Sequence, residues 1–329
     1  MFMCSSPQII CVVASPDGKL LASASMDLSV ILWSRAAGEK AFELKGHAKF
    51  VYTVAFSPDG ESVFSSGEDG DVRVWNVQDG TEKYVIPAAH DGATVRALGF
   101  DLVGRLMTVG FNGKMKTWAP FTAGVKPVAE VNAVVKEPQV FTMDVALGHD
   151  GGPVVATGSG DGTLKLWALP ASAEADPSPR LKFTHAGGHG EGKAVRTVAI
   201  SKGNVEGLVA SAGLGGDIQV WSLADGEPVQ VITAHDGDIN SLSFSPDGSC
   251  LSSASSDYSV RVWNMPEGTL KHKLVGHTGV VVSADIIPGL DGGADELISA
   301  SCDRTVRTWD LATGKQLCAF EGHSSNVSV

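Results

Sequence analysis

Several protein classes need residues that this chain has in short supply. Lysine and arginine (25) are outnumbered by aspartate and glutamate (37), and no basic cluster appears. The net charge of −12 argues against non-specific binding to nucleic acid or an anionic membrane, because phosphates need cationic partners. No apolar run approaches the roughly 20 residues of a membrane-spanning helix, so no membrane insertion is expected. Helical heptads are absent. The cysteines, Cys4, Cys11, Cys250, Cys302 and Cys318, are few, odd in number and without a Cys-x-x-Cys pair. They read as reduced thiols of a cytosolic-type compartment, not as a disulfide framework. The first residues, MFMCSSPQIICVVASPDG, lack a basic n-region, and their apolar run ends in a turn. They read as a strand rather than a signal peptide. The expected location is therefore cytoplasmic, with nuclear or cytoskeletal association as the alternative, and not secreted.

Glycine, by contrast, is plentiful at 39 residues, as an all-β chain with many turns requires. The stretch from Gly46 to Trp75, GHAKFVYTVAFSPDGESVFSSGEDGDVRVW, sets the theme. Apolar residues alternate from Val51 to Phe56, a turn falls at Ser57-Pro58-Asp59-Gly60, and an apolar-rich run covers Ser62 to Ser66. A second turn at Glu68-Asp69-Gly70 leads to a run ending at Trp75. Period-two runs between Pro/Gly/Asp turns are short antiparallel strands.

The unit repeats. Trp33, Trp75, Trp118, Trp167, Trp221, Trp263 and Trp309 each end a strand-like run, at spacings of 42, 43, 49, 54, 42 and 46. Gly-His pairs recur between them. This pattern resembles the WD-repeat family over essentially the whole length, although the Trp-Asp dipeptide itself survives only at Trp309-Asp310. The resemblance implies an all-β fold, a seven-bladed β-propeller of four-stranded antiparallel blades. The blades are expected at about 8–45, 46–88, 89–132, 133–184, 185–233, 234–275 and 276–321, in one domain spanning 1–329. Residues 119–138, 168–180 and 288–295 read as insertions within the repeat. Residues 322–329 look like the start of another repeat. They are either a redundant stub or a sign that the chain is part of a longer product. As a stub, they would bring His323 across the seam to complete blade 1.

Four polar residues recur at fixed offsets: His before the first strand, Ser or Thr on the second, Asp in the following turn, then Trp. They are His47, Ser65, Asp69 and Trp75; His235, Ser253, Asp257 and Trp263; and His277, Ser299, Asp303 and Trp309. Ser23, Asp27 and Trp33 form a fourth set, with His323 the candidate histidine. Ser, His and Asp together suggest a hydrolase. Near-copies spread round a ring argue instead for fasteners, since a buried indole N–H needs an acceptor and each further group can pass the bond along. The resemblance implies the same structural network. Three sets are degraded. Blade 3 has His90, Thr108, Asn112 and Trp118. Blade 4 has Thr157, Asp161 and Trp167, with His149 on the wrong side of its first strand. Blade 5 has His189, Ser211 and Trp221, with Gly215 in place of Asp. No catalytic residue, cofactor or metal site is expected, because the histidines are dispersed and zinc needs three or four convergent ligands. The Gly-Asp-Gly turns precede strands, not helices, and are hairpins rather than phosphate loops.

The family resemblance implies that peptides and proteins dock on the face carrying the d–a and b–c turns. Carrying its exposed positions over gives Phe50, Tyr52, Glu68, Arg96, Phe111, Phe141 and Arg196 as the partner-binding candidates. Aromatic residues and arginine are frequent interface anchors, and only 7% of this chain is aromatic. The expected function is a non-catalytic interaction scaffold, a subunit of a multiprotein assembly with one or more protein or peptide partners. A competing reading is the substrate-recognition subunit of a cullin-type ubiquitin ligase. Its Trp-Asp-x-Arg signature is missing, the residues three after each Trp being Ala36, Gln78, Phe121, Pro170, Ala224, Pro266 and Ala312. A third reading, an enzyme using the propeller channel, has only the dispersed polar residues behind it.

Overall fold

The computed structural model describes residues 8–101, 104–118, 127–132, 139–147, 152–170, 178–186, 189, 193–202, 207–289 and 293–323. Cys4, His149 and residues 324–329 lie outside them, as do parts of the three expected insertions. The described residues form 28 strands, β1 to β28 in chain order, and no helix. They make seven four-stranded antiparallel sheets, each from four consecutive strands. Blade 1 is β1 (Ile9–Ala14), β2 (Leu20–Ser25), β3 (Ser29–Ser34) and β4 (Glu39–Lys45).

The first strand of every blade is innermost. These are β1, β5 (Val51–Phe56), β9 (Val95–Phe100), β13 (Val140–Leu147), β17 (Val195–Ile200), β21 (Ile239–Phe244) and β25 (Val281–Ile287). Each packs beside the next, and β25 packs beside β1, which closes the ring. The molecule is a seven-bladed propeller. One blade edge differs from the sequence-based division at 184/185. Strand β16 (Arg180–Ala186) continues to Ala186 because Thr163 pairs with it, so His185 belongs to blade 4 and stacks on Trp221 of blade 5, with ring centroids 4.1 Å apart.

The turns follow from local chemistry. In Ser57-Pro58-Asp59-Gly60 the Ser57 hydroxyl and the Glu61 N–H both donate to Asp59 Oδ1, and Gly60 supplies the left-handed residue at φ 75°. Blades 1 and 6 build the same turn on Asp17 and Asp247.

The core is divided among the interfaces between blades. Leu32 and Leu44 of blade 1, for example, pack with Val54, Val63 and Trp75 of blade 2. Each tryptophan joins the cluster shared with the preceding blade, including Trp33, which packs with Ile298, Val306 and Phe320 of blade 7. A blade is thus buried on both faces, and burial of its apolar side chains depends on both neighbours.

Candidate functional site

The recurring polar residues connect within each blade. In blade 2, Trp75 Nε1 donates to Ser65 Oγ at 2.8 Å. Ser65 Oγ lies 2.8 Å from His47 Nε2, and His47 Nδ1 lies 2.8 Å from Asp69 Oδ2. Asp69 accepts, so Nδ1 carries the proton and Nε2 accepts from the serine hydroxyl. Asp69 also accepts from the Ala48 and Asp71 N–H groups. The chain of bonds ties the second and third strands to the turn before the first. It recurs through Trp263, Ser253, His235 and Asp257, and through Trp309, Ser299, His277 and Asp303. Blade 1 completes it with His323, whose Nε2 is 2.7 Å from Ser23 Oγ and whose Nδ1 is 2.8 Å from Asp27 Oδ2. Burial pushes these aspartates up, but the histidine and turn donors outweigh it. Asp27, Asp69 and Asp303 fall below the usual carboxylate range and Asp257 falls to about 2.

The degraded blades keep the tryptophan end of the chain and lose the other. Trp118 and His90 both reach Thr108, but buried His90 Nδ1 makes no well-aligned hydrogen bond and has only the neutral Asn112 side chain near it, whose amide donates to the His90 carbonyl. Burial, with Lys116 nearby, pushes His90 down to about 4. In blade 5, Trp221 and His189 share Ser211, and burial again lowers the histidine to about 4. In blade 4, Trp167 donates to Thr157 at 3.1 Å.

A different feature distinguishes the mouth of the channel. Every innermost strand starts with a register shift. Val51 pairs with Gly67 and Thr53 with Ser66, which leaves Tyr52 as the extra residue of a bulge. The same shift frees Ile10, Arg96, Phe141, Arg196, Asn240 and Val282. A bulge removes a residue from the ladder and re-aims its side chain. These seven residues ring the channel at the end nearest the d–a turns.

Four of the sequence candidates meet there. The Arg96 guanidinium lies 4.3 Å from the Tyr52 ring centroid and 5.6 Å from that of Phe141. Phe111 meets Phe141 edge-on at 6.0 Å and is 37% exposed. The cluster therefore spans blades 2, 3 and 4. Gly160 makes room for it, since a Cβ there would lie 3.1 Å from both Phe141 Cε2 and Gln139 Oε1. The equivalent residues of blades 2 and 3 are Glu68 and Phe111, a contrast in the sequence that points to Gly160 as part of the site.

The other candidates have contacts of their own. Arg196 is held by Asp238 and Asn240 of blade 6, each 3.3 Å from its Nη1. Glu68 faces Lys49 at 3.6 Å. The Phe50 carbonyl accepts from the Glu68 N–H, and a Cβ on Gly67 would come 1.9 Å from that carbonyl oxygen, so this turn requires glycine.

The sequence reading missed two carboxylates deeper on the inner strands. Ser243 Oγ donates to Asp285 at 2.5 Å, and Asp144 accepts from the Ile200 N–H and faces Lys202 Nζ at 3.7 Å. Burial raises Asp285. Among the described residues no three His, Cys, Asp or Glu side chains gather as metal ligands would. No helix among them is long and apolar enough to cross a membrane.

Seven four-stranded sheets in a closed ring, four of them fastened through Trp, Ser, His and Asp, define a WD-type β-propeller. The chain belongs to the WD40 family, described as WD domain, G-beta repeat, whose matches at residues 2–34, 38–76, 137–168, 226–264 and 268–310 cover more than half of it. It is similar to apoptotic protease-activating factor 1 of Rattus norvegicus, with 29% identity over 232 residues, 68% of this chain and 17% of that protein. The guanine nucleotide-binding protein subunit beta of Solanum tuberosum is 32% identical over 162 residues, 48% of this chain and 42% of that one. Denticleless protein homolog B of Xenopus laevis is 28% identical over 299 residues, 86% of this chain and 38% of that one. The chain spans less than half the length of each of these curated relatives.

Proposed function

We propose that this propeller is a non-catalytic protein-interaction scaffold, a subunit of a larger assembly that takes protein or peptide partners on the face carrying the d–a and b–c turns. The observation that carries this reading is the continuous patch of Tyr52, Arg96, Phe141 and Phe111 across three adjacent blades. Aromatic and arginine side chains in one partly sheltered patch are the composition of binding hot spots. The Ser-His-Asp sets support the same reading, because their hydrogen-bonding groups are engaged in fastening the blades. A net charge of −12 favours protein over nucleic-acid partners. One relative is by its own name a subunit, the guanine nucleotide-binding protein subunit beta.

Affinity purification from the native source, with the full chain as bait and mass spectrometry as readout, tests the reading. The double variant Phe50→Ala/Tyr52→Ala is expected to lose the partners that the parent chain captures while keeping its stability within about 1 kcal/mol of the parent's. Retention of the same partners would move the interface away from this face.

A further inference from the structure

Arg96 is a cation without an internal counter-ion. Its Nε is buried and makes no hydrogen bond, and its guanidinium sits against two aromatic rings. The charged or titratable groups that face it are a second cation, Arg196, and Tyr52, whose neutral hydroxyl is within hydrogen-bonding reach but supplies no counter-charge. Among the described residues no carboxylate pairs with it. The nearby acids are engaged elsewhere, Asp238 with Arg196 and Glu68 with Lys49. Burying a charge is costly unless it is paired, and leaving N–H donors unmet adds to the cost. Burial does lower Arg96, but a guanidinium stays protonated. The chain thus holds one uncompensated positive charge at the channel mouth, walled by aromatic rings, in a molecule whose net charge is −12.

We propose that the channel mouth is a receptor for a single carboxylate, the side chain of an Asp or Glu in a bound peptide, with Arg96 as the group that takes it and Tyr52 and Phe141 as the walls that orient it. The proposal rests on the docking face argued above and adds the chemistry of what docks there. Two rings lie against the guanidinium, and a planar two-oxygen acceptor is the partner that an arginine fork favours. Charge decides between a carboxylate and a phosphate. A phosphorylated side chain carries about −1.5 to −2 and calls for more than one free cation, whereas Arg196 is already neutralised by Asp238. The acids around the mouth, Glu68 and Asp238, repel further negative charge. The favoured segment therefore has one acidic residue flanked by neutral or basic ones.

The test uses the full chain, immobilised, and a library of end-capped peptides with random flanks and a fixed central residue: Asp, Glu, Asn, Gln or phosphoserine. Capture is expected to favour Asp or Glu over the matching amide by about thirtyfold or more, the scale set by truncating one partner of a buried charge pair. Arg96→Gln is expected to abolish that preference and Arg96→Lys to keep part of it. Circular dichroism of the variants reports folding. If Arg96→Gln fails to fold, the Arg96→Lys variant and the Asp-against-Asn ratio of the parent chain decide. Peptides captured without an acid preference, yet lost on Phe50→Ala/Tyr52→Ala, would overturn the carboxylate receptor and leave the docking face standing. A preference for phosphoserine over Glu would overturn the single-carboxylate reading in favour of a phosphate site. Capture of no peptide would overturn both.

Discussion

At the scale of single residues, the histidine fasteners are of two kinds, and pH separates them. His47, His235, His277 and His323 each face an aspartate, whereas the described surroundings of His90 and His189 offer their Nδ1 atoms no carboxylate. The paired aspartates are depressed in the fold. The stability they contribute is present above about pH 4 and is lost as pH falls through their folded values. His90 and His189 act in another window. Their folded values near 4 lie below the ordinary 6.5, so below about pH 6.5 the unfolded chain takes protons that the folded one refuses. Stability is then lost as pH falls from about 6.5 towards 4, at about 1.4 kcal/mol per pH unit for each group. Asn112→Asp supplies the missing acceptor in blade 3. It is expected to stabilise by about 1 kcal/mol at pH 7 and to lessen the loss between pH 6.5 and 4 by up to one proton's slope. Gly215→Asp is expected to destabilise, because Gly215 has φ 109° and its Cβ would meet Lys193 Nζ at 2.6 Å. Denaturant melts of both variants at pH 7 and pH 5 give the answer. An unstabilised Asn112→Asp would show that the fastener does not depend on its acidic end.

At the scale of elements, the informative unit is the pair of facing blades. Each tryptophan bonds to a serine or threonine of its own blade while its ring packs against the blade before it. Trp75→Phe removes the indole donor and part of the ring. It is expected to cost about 1–3 kcal/mol and to speed hydrogen exchange in β3 and β4 of blade 1 as well as in blade 2, with the blade 3 strands little changed. Exchange rising equally in blades 1 and 3 would contradict this one-sided packing. The strands themselves were legible from alternation and turn residues, as at Ser57-Pro58-Asp59-Gly60. The bulges were not. An extra residue at Tyr52 or Arg96 leaves the apolar pattern on either side readable, and only the pairing of Val51 with Gly67, or Val95 with Gly110, reveals it.

At the scale of the whole molecule, the ring closes among the described residues without sharing a strand. Blade 1 takes all its strands from the start of the chain, and β28 (Gln316–Glu321) completes blade 7. The seam is held by other means. Ile9, Leu21 and Trp33 pack with Ile287, Ile298 and Phe320, and buried Arg35 reaches Glu296 at 2.9 Å and the Pro288 carbonyl at 3.0 Å. His323 adds the polar tie, and Gly322 lets it pass, since a Cβ there would lie 2.8 Å from the Trp33 ring. His323→Ala removes one partner each from buried Asp27 Oδ2 and the Ser23 hydroxyl and is expected to cost about 1–3 kcal/mol. Exchange should rise together in β1 and β28, which are far apart in the chain. A melting temperature equal to that of the parent would show that packing alone closes the ring.

Blade number, strand order and the Trp-Ser-His-Asp sets follow from residues within about one repeat of each other, and such local patterns are written directly in the chain. Phe50, Tyr52 and Arg96 could likewise be picked out as unusual for their positions. Other features depended on contacts between repeats. Arg96 lies between Tyr52 and Phe141 because the bulges of three blades aim at one point, and Gly160 matters only because Phe141 occupies the space beside it. Arg196 differs from Arg96 because Asp238 of the next blade neutralises it. Periodicity tells which side chains leave the strand. Only the closed ring decides which of them meet, and at Arg96 that meeting leaves a charge without a partner.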